Sequence, residues 1–281
     1  LRSGDVSVVW GTPSWILAAA ARDDLLEPPV AGPSWAASVP KGAGDPGNRW
    51  LPAFADPVVL AFNPDSIARS RAPRDWPGLL HPQWTGDLAW PDANASEYGA
   101  VIVASRVSMG LAETGDLNAG FDWLSRADAI VGDYVPDDDE LARRLSGGFA
   151  LVAPLPLSIA ERARLEGRSL EYRVPEDETP TLVYGVAVLS GAEDPAAAAA
   201  FVDWVGLPEQ VTGLAVRFAL MPVDPTAAAA VPGSALASIV AGLRYAIPPA
   251  DTLAEHLDEW VRRWRTTIQG RHPRVLQAAL P

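Results

Sequence analysis

The chain has 281 residues, of which 48% are hydrophobic and none is cysteine, and its formal net charge is −13. That length suits about two domains of ~100–200 residues each, with enough apolar material for a large core. The acidic balance argues against a nucleic-acid partner, whose phosphates need a cationic surface, and against an anionic membrane face. Without thiols there is no disulfide, thiolate catalysis or cysteine–zinc site. No apolar run approaches the ~18–20 residues that span a bilayer; residues 15–21 and 196–202 are both short.

Residues 6–10, Val-Ser-Val-Val-Trp, read as a strand, Gly11-Thr-Pro as a turn, and Ser14 as the N-cap of a helix over 15–21. Such a strand–loop–helix unit aims a loop and a helix N-terminus at a ligand in α/β sheets. Gly11, Thr12 and Ser14 are therefore candidate binding residues, and they fit plain turn and cap duty equally well. Trp10 and Trp15 flank this loop and read as core more readily than as a stacking clamp. Residues 28–48, rich in Pro, Gly, Ala and Ser, read as a long surface loop.

Ala55-Asp56-Pro57 precedes a strand over 58–63, and Asp56 there could meet an amine or fix the backbone. A short Trp-anchored helix at Trp76, a Trp84-Thr-Gly turn, a strand over 87–90 and a polar helix start at 92–96 follow. Asn94, Ser96 and Tyr98, with Gly99 close behind, have the composition of an anion cradle, although capping alone also accounts for Ser96.

Helices are predicted over 98–108 and 117–125, then a strand over 129–131. In the Asp133-Tyr134 loop, Tyr134 reads either as a cover for a ligand or as a partly buried aromatic, and Tyr184 is equally open. Residues 137–145 begin acidic and end basic, matching the dipole of a short helix. Next come a buried strand from Phe149 to Pro154, a helix around 158–166, strands over 170–174 and 181–189, and a helix over 195–205. Helices over 235–243, capped by Ser234, and over 251–269, with Leu253, Leu257, Trp260, Val261 and Trp264 at helical spacing, complete the pattern.

No enzyme signature is present. His81, His256 and His272 fall in a turn, an amphipathic helix and a terminal tail, with no partner at metal or triad spacing. The single Lys41 lies in the long loop, away from any Gly-rich phosphate motif, and the paired acids around 137–139 have no glycosidase-like spacing.

Taken in order, these pieces resemble the extracellular solute-binding proteins of ABC importers, in the iron(III) and phosphonate branch. The resemblance is carried by Asp5-Val-Ser-Val-Val-Trp-Gly, Leu25-Leu-Glu-Pro, Phe62-Asn63, the 76–92 block, Glu176-Asp-Glu-Thr-Pro with Gly185-Val-Ala-Val, Gly191-Ala-Glu-Asp-Pro, and the terminal Leu253-Ala-Glu-His-Leu-Asp-Glu-Trp. It implies an α/β, two-lobed periplasmic-binding-protein fold of type II with two crossing strands at the hinge. Lobe 1 would be discontinuous (1–56 and 185–281) and lobe 2 continuous (57–184). It further implies a small-molecule ligand held between the lobes, docking on a membrane ABC permease, a monomer, no cofactor, no chemistry and a periplasmic or extracellular location.

The family's first strand and helix lie ahead of the position where this chain begins. The resemblance therefore implies an N-terminally truncated lobe 1, with room for a membrane anchor through the missing part. Ferric-binding members carry adjacent tyrosines after the strand equivalent to 149–153, whereas Pro154-Leu-Pro-Leu157 stands here and offers no donor. A metal site of that kind is not expected. The expected ligand is an organic anion such as a phosphonate or carboxylate, with a cationic amine kept open by Asp56. A ligand sensor or non-transport interaction domain, or an enzyme on the same scaffold, remain the other classes.

Overall fold

A computed structural model of the chain describes residues 7–28, 44–224, 227 and 244–271. The described residues form two compact units, one within Leu1–Asp56, Leu182–Gly242 and Pro249–Glu255, the other within Pro57–Thr181, Leu243–Pro248 and His256–Pro281. In chain order, β1 (Val8–Pro13), α1 (Ser14–Arg22), β2 (Leu26–Glu27) and the first part of β3 (Trp50–Phe62) belong to the first unit. The rest of β3 opens the second. That unit continues through α2 (Trp76–Leu79), β4 (Leu88–Pro91), α3 (Glu97–Thr114), α4 (Asn118–Asp128), β5 (Val131–Val135), α5 (Asp138–Ser146), β6 (Val152–Pro156), α6 (Leu157–Leu165) and β7 (Glu171–Arg173). β8 (Thr179–Leu189) leads back into the first unit, which adds α7 (Pro195–Val205), α8 (Pro208–Phe218) and β9 (Met221–Pro222). β10 (Tyr245–Ala246) belongs to the second unit, and α9 (Ala250–Thr267) begins in the first and ends in the second. The predicted helix over 235–243 lies outside the described residues.

In the first unit β8 pairs antiparallel with β1, Val8 opposite Val188 and Pro13 opposite Tyr184, and β9 pairs antiparallel with β3 at Phe54 and Ala55. Strand side chains alternate between faces, and the packing follows that period. Ala187, Leu189 and Trp50 meet Leu17, Ala20 and Ala21 of α1, while Val186, Val188 and Leu51 meet Ala198 and Val202 of α7. The result is a helix–sheet–helix sandwich.

In the second unit β4 runs parallel to β5 and β6, whereas β3 runs antiparallel to β6 and β7. Trp76, Trp90, Leu88, Ile102, Leu124 and Leu141 are fully buried there. Trp76, Trp90 and Trp123 form a mutual cluster with centroids 5.9–6.4 Å apart. The Arg106 guanidinium of α3 lies 4.5 Å from the Trp76 ring centroid and 4.6 Å from that of Trp123. Two indole faces thus replace much of the water this cation gave up. Burial still pushes its pKa down to about 10, against the opposing pull of Asp177 and Glu178.

Several local expectations are corrected. Ser14 is not the cap of α1: Pro13 holds that position with no side-chain cap bond, and Ser14 is a buried first-turn residue. Trp10 is 41% exposed, packed edge-on against Phe201, rather than core. Phe149 does not begin a buried strand. It is 86% exposed, its amide donates to Arg144 O, and β6 begins only at Val152. β3 starts eight residues before the predicted position 58, because Pro52 and Pro57, which suggest breaks in a ladder, sit inside a strand whose thirteen residues are all buried. Among the described residues, 244–248 and 256–271 group with the second unit. There Trp264, 0% exposed, packs edge-on against Tyr134.

Candidate functional site

Within the first unit, the candidate segment Gly11-Thr-Pro is not the expected turn but the end of β1, paired with β8 and running directly into α1 at Ser14. Gly11 adopts φ 71°, in the left-handed region, where the register of β1 on β8 slips between Trp10 and Thr12. Gly11 is exposed and Thr12 half-buried, whereas Ser14 points into the packed start of α1. Asp56 is the last residue of this unit's part of β3 and is 0% exposed. A carboxylate so buried has to be paired, and it does have interaction partners.

In the second unit, the loop from β4 into α3 brings together Asn94, Ser96 and Tyr98. Gly99 lets α3 start tight against that loop, since a Cβ there would lie 2.7 Å from Pro91 O and 2.8 Å from Ala93 N. Ser96 caps α3 by accepting from the Gly99 amide at 3.1 Å, and its hydroxyl donates to the Asp138 carboxylate at 3.0 Å. Asp138 opens α5, so the two helix N-termini share one protein carboxylate. A serine has a single proton to donate, and here that proton is committed. Tyr98 is 9% exposed and so belongs mainly to the packing.

Asn94 is exposed. Its amide nitrogen donates to Asp92 Oδ1 at 2.8 Å and to Gln269 Oε1 at 3.3 Å, which leaves the carboxamide oxygen as its outward group. Tyr134 is not in the expected loop but in β5, opposite Trp90 of β4, and is half-buried. Its hydroxyl donates to Asp128 at 2.6 Å, and Asp128 also accepts from the Gly270 amide.

A cavity of about 290 Å³ lies beside the Asn94 loop, wholly within the second unit. Leu257 and Val261 of α9 form its apolar side, while Asn94, Asp258, Arg262 and Arg265 supply its polar groups. Neither guanidinium has a hydrogen-bond or ion-pair partner among the described residues. The sequence pattern marked α9 only by its apolar spacing, Leu253, Leu257, Trp260, Val261 and Trp264, so the polar residues between these were not candidates. Among the described residues no group of three or more His, Asp or Glu side chains is placed to hold a metal ion, and no helix is long and apolar enough to cross a membrane.

Two α/β units joined by shared strands, each with helices packed on its sheet, define the type II periplasmic-binding-protein class. The model of the family described as bacterial extracellular solute-binding protein matches residues 16–238, and the chain belongs to that family. It is an ABC-type solute-binding protein with two lobes. A probable ABC transporter periplasmic-binding protein, y4fP of Sinorhizobium fredii (strain NBRC 101917 / NGR234), is 28% identical over 266 residues, 93% of this chain and 72% of that protein. Iron-bound HitA from Pseudomonas aeruginosa superposes with a TM-score of 0.74 at 21% identity, covering 92% of this chain and 82% of its own. AfuA from Actinobacillus pleuropneumoniae, with fructose-6-phosphate bound, gives 0.72 at 19% identity over 94% and 83%. The spermidine/putrescine-binding PotD from Streptococcus pneumoniae gives 0.70 at 15% identity over 93% and 84%. Iron, a sugar phosphate and polyamines thus share one fold, which by itself names no solute.

Proposed function

We propose that this protein captures a small organic anion, a phosphonate or carboxylate, outside the cytoplasm and delivers it to a membrane ABC permease. It acts as a monomer, without catalysis and without a nucleic-acid partner. Family membership across residues 16–238 supports the binding role. One observation carries the anionic solute: the cavity beside Asn94 bears two guanidinium groups against one carboxylate, in a protein whose overall charge is −13. In such a surrounding, two arginines without a partner among the described residues are a local reversal of sign. Among the loop candidates, Asn94 is the second-unit residue with an outward polar group, whereas the Ser96 hydroxyl is spent on Asp138. Gly11 and Thr12 are the first-unit candidates.

A thermal-shift screen tests the reading. A solute at ~100-fold excess over its dissociation constant stabilises the folded protein by about 2.7 kcal/mol, which raises Tm by several degrees in a domain of this size. Phosphonates and carboxylates are expected to give that shift. Silence from them and from polyamines and thiamine-like cations would refute the binding role, and a response to the cations alone would refute the anionic solute.

A further inference from the structure

We infer that the cavity of the second unit takes a small zwitterion, an ω-amino acid whose carboxylate lies on Arg262 and Arg265 and whose ammonium lies on Asp258 and the Asn94 carboxamide oxygen. This inference rests on the anion-binding role and specifies its solute. The cavity's polar groups fall into two sets of opposite sign. Arg262 and Arg265 are one turn apart on α9 and on the same face, where two planar forks can grip one carboxylate. Asp258 lies one turn before Arg262, lines the same cavity, and forms no ion pair with either arginine among the described residues. Asn94 adds an acceptor, because its nitrogen is held by Asp92 and Gln269.

The shared helix face limits the length of the solute. Asp258 and Arg262 are one turn apart, about 6 Å along the axis, and are not paired with each other among the described residues, so a short solute with three or four methylenes between amine and carboxylate is the probe to use. Leu257 and Val261 give those methylenes an apolar wall. The volume of about 290 Å³ stands at the small end of ligand sites and accommodates a molecule of that size.

Calorimetric titration of the full chain with 5-aminopentanoate, pentanoate and pentylamine tests the assignment. The zwitterion is expected to bind at least about tenfold tighter than either half-molecule, since each charge-assisted contact is worth roughly that factor. Arg262→Gln and Arg265→Gln should each weaken it about tenfold with Tm unchanged, as both side chains are exposed. Asp258→Asn should weaken 5-aminopentanoate yet tighten pentanoate, a reversal of sign that a purely structural role would not produce. If the protein binds phosphonates or carboxylates but these three variants leave every affinity within twofold, the cavity assignment is overturned and the transport role stands. Failure to bind any of the anionic or zwitterionic probes would overturn the anionic solute together with the cavity assignment.

Discussion

Replacing Ser96 by alanine separates a ligand contact from a structural one. The side chain does two things: it accepts from the Gly99 amide at 3.1 Å and donates to Asp138 at 3.0 Å, while itself 4% exposed. Loss of an N-cap costs about 1 kcal/mol, and loss of a hydrogen bond to a charged group about 1.5–3 kcal/mol. Asp138 is half-buried and regains some water, so the lower half of that sum applies, about 2.5–3 kcal/mol. Urea unfolding followed by far-UV circular dichroism should show a lower midpoint at an unchanged slope, and Ser96→Thr, which keeps the hydroxyl, should recover most of the loss. Solute affinity measured on the folded variant should stay within about twofold, because the hydroxyl proton already belongs to Asp138. A variant that keeps its midpoint but loses tenfold or more in affinity would show that Ser96 contacts the solute, and this account of the α3 start would be wrong.

Gly120→Ala should cost at least about 1–3 kcal/mol, read as a drop in Tm, because the added Cβ would lie 2.3 Å from Arg106 O and 2.5 Å from Val107 Cα and would push α4 off α3. By contrast Gly213→Ala, exposed in α8 with no atom within 4 Å of the new Cβ, should gain about 0.5–1 kcal/mol. Burial holds the Asp177 carboxyl above its ordinary range, although the Trp76 amide and Arg106 pull it back. A raised carboxylate disfavours the folded state when ionised, and this penalty disappears as pH falls through the folded pKa. Asp177→Asn should therefore be slightly more stable than the parent at pH 7, with the difference shrinking as pH falls towards the ordinary carboxylate value of about 3.9. An unchanged difference across that range in urea melts would contradict it.

Much of the fold was legible because strands and helices here carry clear periods. The 195–205 helix is found as Pro195–Val205, started by Asp194, and the 181–189 strand as Thr179–Leu189. Element order was enough to suggest two lobes, since the chain passes twice through long buried strands. Other features depend on tertiary surroundings. Prolines inside β3 concealed its first half, since their effect on pairing depends on which edge faces a neighbour. Phe149 looked apolar enough for a strand, but the end of α5 turns it outward.

The site was harder to read. Ser96 was visible as a cap, but the carboxylate that accepts its proton, Asp138, lies 42 positions away. The α9 cavity required knowing that this helix packs beside the Asn94 loop, 175 residues from Gln269 in sequence. The periodicity of one helix cannot reveal such a juxtaposition.

The packing of Arg106 between Trp76 and Trp123 also has a spectroscopic consequence. Indole emission responds to nearby charge and to water, and the second unit holds three clustered indoles around one buried cation. Trp10 and Trp204 of the first unit are 41% and 48% exposed. The two sets should therefore emit at different wavelengths and be quenched by iodide to different extents. The iodide-quenchable part of the native fluorescence then reports on the first lobe, so that loss of structure there can be followed without labels.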